Sequence, residues 1–284
     1  MVKNLGTFQD GGLQNNNPIV IARSESLFLW PEKGEPDFAL SLGTGTTSMP
    51  TAASTQSPVT DRFYLRLFKS FMRSLDSEEA WKRFIYTIPV QYRSRYHRLN
   101  LYLQGPEPPL DDLSTVGELK TQTMEYIKSS STIPTIMDSM YAAMFYFELE
   151  DLPRFINGRY ECVGHIFCRL NLPPNGRQYL YSQLIATSSW FLIHGHPTAC
   201  VLKVLKGHPP FKRRVQFVVD TLSESIAISI RGITSMPRLI SGFPISLKNL
   251  IDSQQLYAPF GRADHSTLGK LLPSIPAKRK IDKL

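Results

Sequence analysis

Cysteine is scarce in this chain, with three thiols among 284 residues, at Cys162, Cys168 and Cys200. Three are too few to staple a small fold, so the core has to be built by packing, and a reducing compartment is the expected setting. Long apolar runs are missing too. No stretch reaches the about 20 residues that a membrane-spanning helix needs, and the opening MVKNLGTFQD lacks the apolar segment of a secretory leader. Both absences lead us to expect a cytoplasmic protein, soluble or peripheral on membranes. No repeat of the solenoid or propeller kind recurs. Acidic charge is in the minority, with 24 Asp and Glu against 32 Lys and Arg, a formal net charge of +8. That balance permits contact with phospholipid or nucleic acid and requires neither. What the chain does have is apolar bulk. At 42% hydrophobic residues it can bury one large core or two smaller ones.

The texture changes along the chain. Residues 1–130 alternate helical and strand patterns, an α/β arrangement. In NNNPIVIARSESLFLWP, Asn17 is placed to cap a helix whose first residue is Pro18; the helix runs to about Trp30 and Pro31 stops it. DFALSLGTGT reads as a short strand over 37–42 that enters a glycine turn, with the profile of a strand buried on both faces of a parallel sheet. PTAASTQSPVT (50–60) is a small-residue loop. Phe63, Leu67, Phe71 and Leu75 then form one helical stripe, and SEEAWKRFIY is a second helix capped by Ser77. Another helix is expected to begin near Asp112.

KSSSTIPT (128–135) reads as a linker. Beyond it, GRYECVGHIFCRL, SWFLIHG, ACVLKVLK, RRVQFVVD and SIAISIRG predict five strands, separated by clusters such as PPNG and GHPP. They suit a small sandwich or antiparallel sheet over 131–235, followed by a basic tail over 236–284 that ends in PAKRKIDKL.

The densest chemical signal is FQDGGLQNNNP. A carboxylate acting as general base must come within about 2.6–3.2 Å of the hydroxyl it deprotonates. Gly11 and Gly12 can take positive φ and leave no Cβ in a substrate's way, while Asn15, Asn16 and Asn17 can hold the loop by local hydrogen bonds. Asp10 is thereby set out on a rigid turn. Asp-Gly is also among the commonest plain turn signals, so the tripeptide alone decides little.

The order of elements adds weight. DGGLQNNNP, a helix ending in LFLWP, then DFALSLGTGT resembles the fungal form of the patatin-like phospholipase family, and RYHRLNLYLQGPEPPLDDLSTVGELKTQTMEYI (95–127) continues the likeness. The resemblance covers about 1–130 and implies the C-terminal part of a patatin-like three-layer fold, followed by the β-rich region. It implies Asp10 as the carboxylate of a Ser–Asp dyad within the motif Asp10, Gly11, Gly12, a lipid ester or phospholipid as substrate, and no cofactor. The chain departs from the family in one respect. The nucleophile belongs in a G-x-S-x-G elbow upstream, and no such pentapeptide occurs; in SLGTGT, Thr44 stands between the glycines. Two expectations follow: a fragment of a lipid acyl hydrolase, or a non-catalytic remnant serving as a protein- or membrane-binding module.

Weaker signals resolve to structure. On a strand, Cys162 and Cys168 share one face and His165 points to the other, so a tetrahedral zinc site is hard to assemble. HGH (194–196) sits at a turn. SLGTGT lacks the Lys of a phosphate loop. YRSRYHR (92–98) and KRK (278–280) could meet anionic lipid headgroups. No nucleic-acid motif is present.

Overall fold

Pro18 and Pro31 bracket the first helix, as their fixed φ dictates. The computed structural model describes residues 17–47, 77–104, 112–200, 210–234 and 236–256. The DGG motif, the 50–60 loop, the Phe63–Leu75 stripe and the 278–280 segment lie outside them. The fold is mixed helix and sheet and divides into two units, Met1–Ile136 and Met137–Leu284.

In the first unit α1 (Ile19–Leu29) is followed by a 3₁₀ turn at Pro31–Lys33 and by β1 (Ala39–Leu42). After β2 (Thr46–Thr47) come α2 (Ser77–Thr87), β3 (Tyr96–Leu99) and β4 (Tyr102–Leu103). β1 pairs in parallel with β3, Ser41 facing Arg98, and β2 pairs in parallel with β4. Parallel neighbours need a crossover, and α2 lies on the segment that joins them. Ile19, Phe84, Ile88 and Tyr96 form the buried cluster, with Tyr96 edge-on to Phe84 at 5.3 Å. Ala39 packs on that cluster and Ser41 is buried beside it, whereas Leu42, on the opposite face, is 67% exposed. The expectation of burial on both faces therefore fails among the described residues: β1 is covered on the α1/α2 side only.

Asp112 starts the next helix through a local turn. Its carboxylate accepts from Ser114 N at 2.9 Å across a 3₁₀ turn, and α3 (Val116–Ser129) follows. The expected linker is largely helical. Only Ser130 and Ser131 separate α3 from α4 (Thr132–Ala143), within which the division between the units falls.

The second unit is antiparallel. β5 (Phe145–Leu149), β6 (Arg154–Ile156), β7 (Arg159–Cys168) and β10 (Lys212–Val219) make one sheet, with β7 between β5 and β10 and β6 also paired to β7. A second runs β13 (Arg238–Leu239), β12 (Ile228–Arg231), β8 (Trp190–Ile193), β9 (His196–Cys200). The β6–β7 turn is Asn157–Gly158 and the β8–β9 turn is His194–Gly195. All four residues have positive φ, between 50° and 80°, which matches the twist of a two-residue hairpin. PPNG proved to be the start of a helix rather than a separator: α5 runs Pro174–Ala186, and proline suits a first turn because its missing N–H is unneeded there.

Residues 236–256, where the sequence suggested only a tail, close the core. β14 (Ile245–Ser246) pairs with β11 (Ser225–Ile226), and Leu247, Leu250 and Ile251 of α6 (Leu247–Ser253) are buried. Just beyond α6, the Gln254 side chain receives Leu149 N and donates to Phe147 O, both at 2.9 Å, and so ties itself to the β5 backbone.

Candidate functional site

Asn17 ends the NNN run, seven residues after Asp10, and is 5% exposed. Its Oδ1 accepts from Ile19 N at 3.3 Å, two residues on, and from the Ser41 hydroxyl at 3.1 Å; its Nδ2 donates to Ser77 O at 3.3 Å. One short side chain thus joins the start of α1, strand β1 and the start of α2. The helix starts one residue later than expected, at Ile19 with Pro18 in the cap position and no side-chain cap bond, so Asn17 precedes the cap and works chiefly as a tie to β1 and α2.

Arg98, in register with Ser41, carries the network onward. Its side chain is 7% exposed; it donates to Ser41 Oγ and Ser77 Oγ at 2.9 Å each, and meets the Glu78 carboxylate at 2.7 Å. The Ser77 hydroxyl, expected to cap α2, is engaged by this guanidinium instead. Glu78 also receives Asn100 Nδ2 at 2.7 Å, and Asn100 Oδ1 accepts from Gly45 N at 2.9 Å. Here the glycines of SLGTGT find their reason. A Cβ on Gly43 would lie 2.1 Å from Asn100 Oδ1, and Gly45 has φ +105°. The turn is built around an asparagine amide.

Chemically this arrangement is a clamp. Ser41 accepts from Arg98 and donates to Asn17, so its hydroxyl is committed in both directions, and neither bond comes from a general base of the kind an activated nucleophile needs. A chain of donors running from a cation through a hydroxyl to an amide is mutually polarised and stiff.

A second polar cluster lies on the α1 side. Arg23 and Tyr96 both donate to the Glu35 carboxylate, and Arg95 reaches the Glu35 and Pro36 carbonyls and lies 3.6 Å from Asp37. The hydrogen bond from Arg23 leads in holding the Glu35 carboxyl below its ordinary range, and the same bond raises Arg23. Burial first, then Glu35, pushes the Tyr96 phenol upward. Arg93 donates to the Ile88 carbonyl at 2.9 Å. The arginines of YRSRYHR are thus engaged within their own unit rather than arrayed as a basic face.

The sequence reading missed Ser41, Glu78, Arg98 and Asn100 as working partners. A signal was available: Arg98 and Asn100 stand two residues apart, in β3 and just beyond its end, and Arg98 is in register with Ser41 on the parallel neighbour. Asp10, Gly11 and Gly12 lie outside the described residues. In the second unit Cys162 is fully buried, its thiol pushed up to about 12 foremost by burial, while His165 is half-buried on the alternate face of β7. Among the described residues no group of three His, Cys, Asp or Glu could hold a metal ion, and no helix is long and apolar enough to cross a membrane. Comparison with protein families, with curated proteins and with solved structures returns no match.

Proposed function

We propose that this chain supplies the carboxylate half of a patatin-like lipid acyl hydrolase, with Asp10 in a dyad whose serine is carried on a segment outside this sequence. The clamp on Asn17 is the observation that supports the reading. It ties Asn17, seven residues past Asp10, to strand β1 and to the start of α2, the mechanical support that a precisely aimed base needs. The parallel β1/β3 pair is also the kind of sheet on which such a fold is built.

The chemistry would run in two steps. The serine oxygen attacks the ester carbonyl of a lipid while its proton passes to the Asp10 carboxylate, and that proton then goes to the departing alcohol. Water, deprotonated by the same carboxylate, next cleaves the acyl-serine; the serine oxygen recovers a proton and the fatty acid leaves. No cofactor enters either step.

Hydrolysis of a short-chain nitrophenyl ester tests the reading. The 284-residue chain, having no G-x-S-x-G, is expected to stay at background. A reading frame continuing upstream of the Met1 codon is expected to encode that pentapeptide, and the longer chain is expected to turn over ester until Asp10→Asn silences it. Retained activity in Asp10→Asn would remove Asp10 from its role. Stop codons ahead of Met1, with no elbow, would leave the non-catalytic module instead.

A further inference from the structure

The second unit holds a cavity of about 260 Å³ whose described lining runs from the end of β7 through the start of α5 to Phe211, ahead of β10. Two aromatic pairs contribute to it. Tyr146 stacks on Phe167 at 5.6 Å with 26° between the rings, and Tyr181 lies 6.0 Å from Phe211 at 34°. Leu172 and Cys168 add to the apolar part. Arg177 also lines the space, but its Nη1 donates to the Leu172 carbonyl at 2.8 Å, so its guanidinium is committed to the wall. Among the described lining residues, no buried side-chain polar atom is left without a partner.

We infer that this cavity is a binding site for a small uncharged aromatic molecule, the size of two fused rings, held by the Tyr146–Phe167 and Tyr181–Phe211 pairs. Aromatic rings attract one another at centroid separations of about 4.5–7 Å, and a flat ligand extends the contacts that the two pairs already make. The volume lies just under the about 300 Å³ at which drug-sized sites begin, which selects a ligand of modest size. A charged or strongly polar group would give up its water here without meeting an uncommitted partner among the described residues. A cation would also be repelled by Arg177 and by Lys212, which stands 5.5 Å from the centre of the Phe167 ring. Cavities lined by apolar side chains admit aromatic guests that make no hydrogen bond at all. The inference goes beyond the acyl-hydrolase reading and does not rest on it.

Cys168, which lines the cavity, provides the readout. The native chain is treated with N-ethylmaleimide alone and with 2-naphthol, 2-naphthoate or 2-naphthylmethylammonium, and peptide mass mapping follows Cys168 apart from Cys162 and Cys200. The neutral naphthol is expected to slow Cys168 alkylation most, the carboxylate less and the ammonium least. Leu172→Trp, which adds bulk to the lining, is expected to abolish the protection. Tyr146→Ala, which removes one ring, is expected to weaken 2-naphthol about fivefold, the worth of one ring contact. Circular dichroism confirms that the variants are folded, and Tyr146→Ala carries the test alone should Leu172→Trp fail to fold. Saturation transfer to the naphthol ring protons serves as the second measure if the thiol reacts too slowly to time. Absence of 2-naphthol binding by both measures, undiminished binding in a folded variant, or tighter binding of either charged analogue overturns the inference.

Discussion

The two units are held together by different kinds of force. Among the described residues, four buried apolar side chains centre the first unit, and twenty-three form the core of the second. The described part of the first unit also carries polar ties: Asn17, Ser41, Glu78, Arg98 and Asn100 in one network, and Arg23, Glu35 and Tyr96 in another. It also leaves Phe28 81% and Leu42 67% exposed. In the second unit the ion pairs are peripheral, as with Arg214–Glu150 and Arg159–Asp220, both largely in solvent. Apolar packing is non-directional and tolerates small shifts, whereas hydrogen bonds to a buried guanidinium fix orientation.

The sharpest way to break this contrast is in the second unit's core. Phe145 is fully buried, with Phe191 at 5.2 Å and Phe211 at 5.0 Å. Phe145→Ala is expected to cost about 3–5 kcal/mol, read from urea unfolding by Trp190 emission in a background lacking Trp30 and Trp81. A loss near zero would mean that aromatic packing does not hold this unit.

Arg98→Met comes next, at about 2 kcal/mol, because it takes from Glu78 its ion partner and from the Ser41 and Ser77 hydroxyls their donor while keeping the stem's bulk. Amide exchange should quicken at residues 17–19, 41–45 and 77–79 and stay unchanged across β7. Uniform quickening in both units would show that the clamp is not local.

Tyr96→Phe removes one hydroxyl from Glu35 and should cost about 1 kcal/mol. It also tests the sign of two titrations. The Tyr96 phenol is raised, so its contribution is complete below the ordinary tyrosine value of about 10 and fades as pH climbs through the higher folded value. The Glu35 carboxyl is lowered from 4.5, so its contribution is present above that value and fades as pH falls through the lower folded one. Trp81 emission, in a chain whose other tryptophans are phenylalanine, should therefore report loosening of the first unit at both extremes. Tyr96→Phe should delete the alkaline limb and shrink the acid one, because the Tyr96 hydroxyl also helps to lower Glu35.

The smallest effect is expected at Lys82→Ala. The Lys82–Glu79 pair is an exposed i,i+3 contact, and its loss should shift stability by no more than about 0.3 kcal/mol. A larger change would mean that surface charge, and not the buried clamp, stabilises the first unit.

Much of this was legible in the residues themselves. Pro18 and Pro31 set the ends of α1 because a fixed φ acts within a few positions. β7 and β10 announce themselves through alternation, and Asn157–Gly158 is a hairpin signal in its own right. β5 was passed over because FYFEL directly follows the apolar end of α4, where a short apolar run reads equally as helix. PPNG misled because the same proline that punctuates a loop also opens a helix.

The sequence by itself determined where segments start, stop and turn, since those choices depend on neighbours one to four positions away. Only the tertiary structure decided that Arg98 would meet Ser41 across 57 positions, that Gln254 would tie itself to β5, and that residues 236–256 would complete a core. Each of these depends on two distant stretches being brought within a hydrogen bond of one another, and no local pattern encodes that distance.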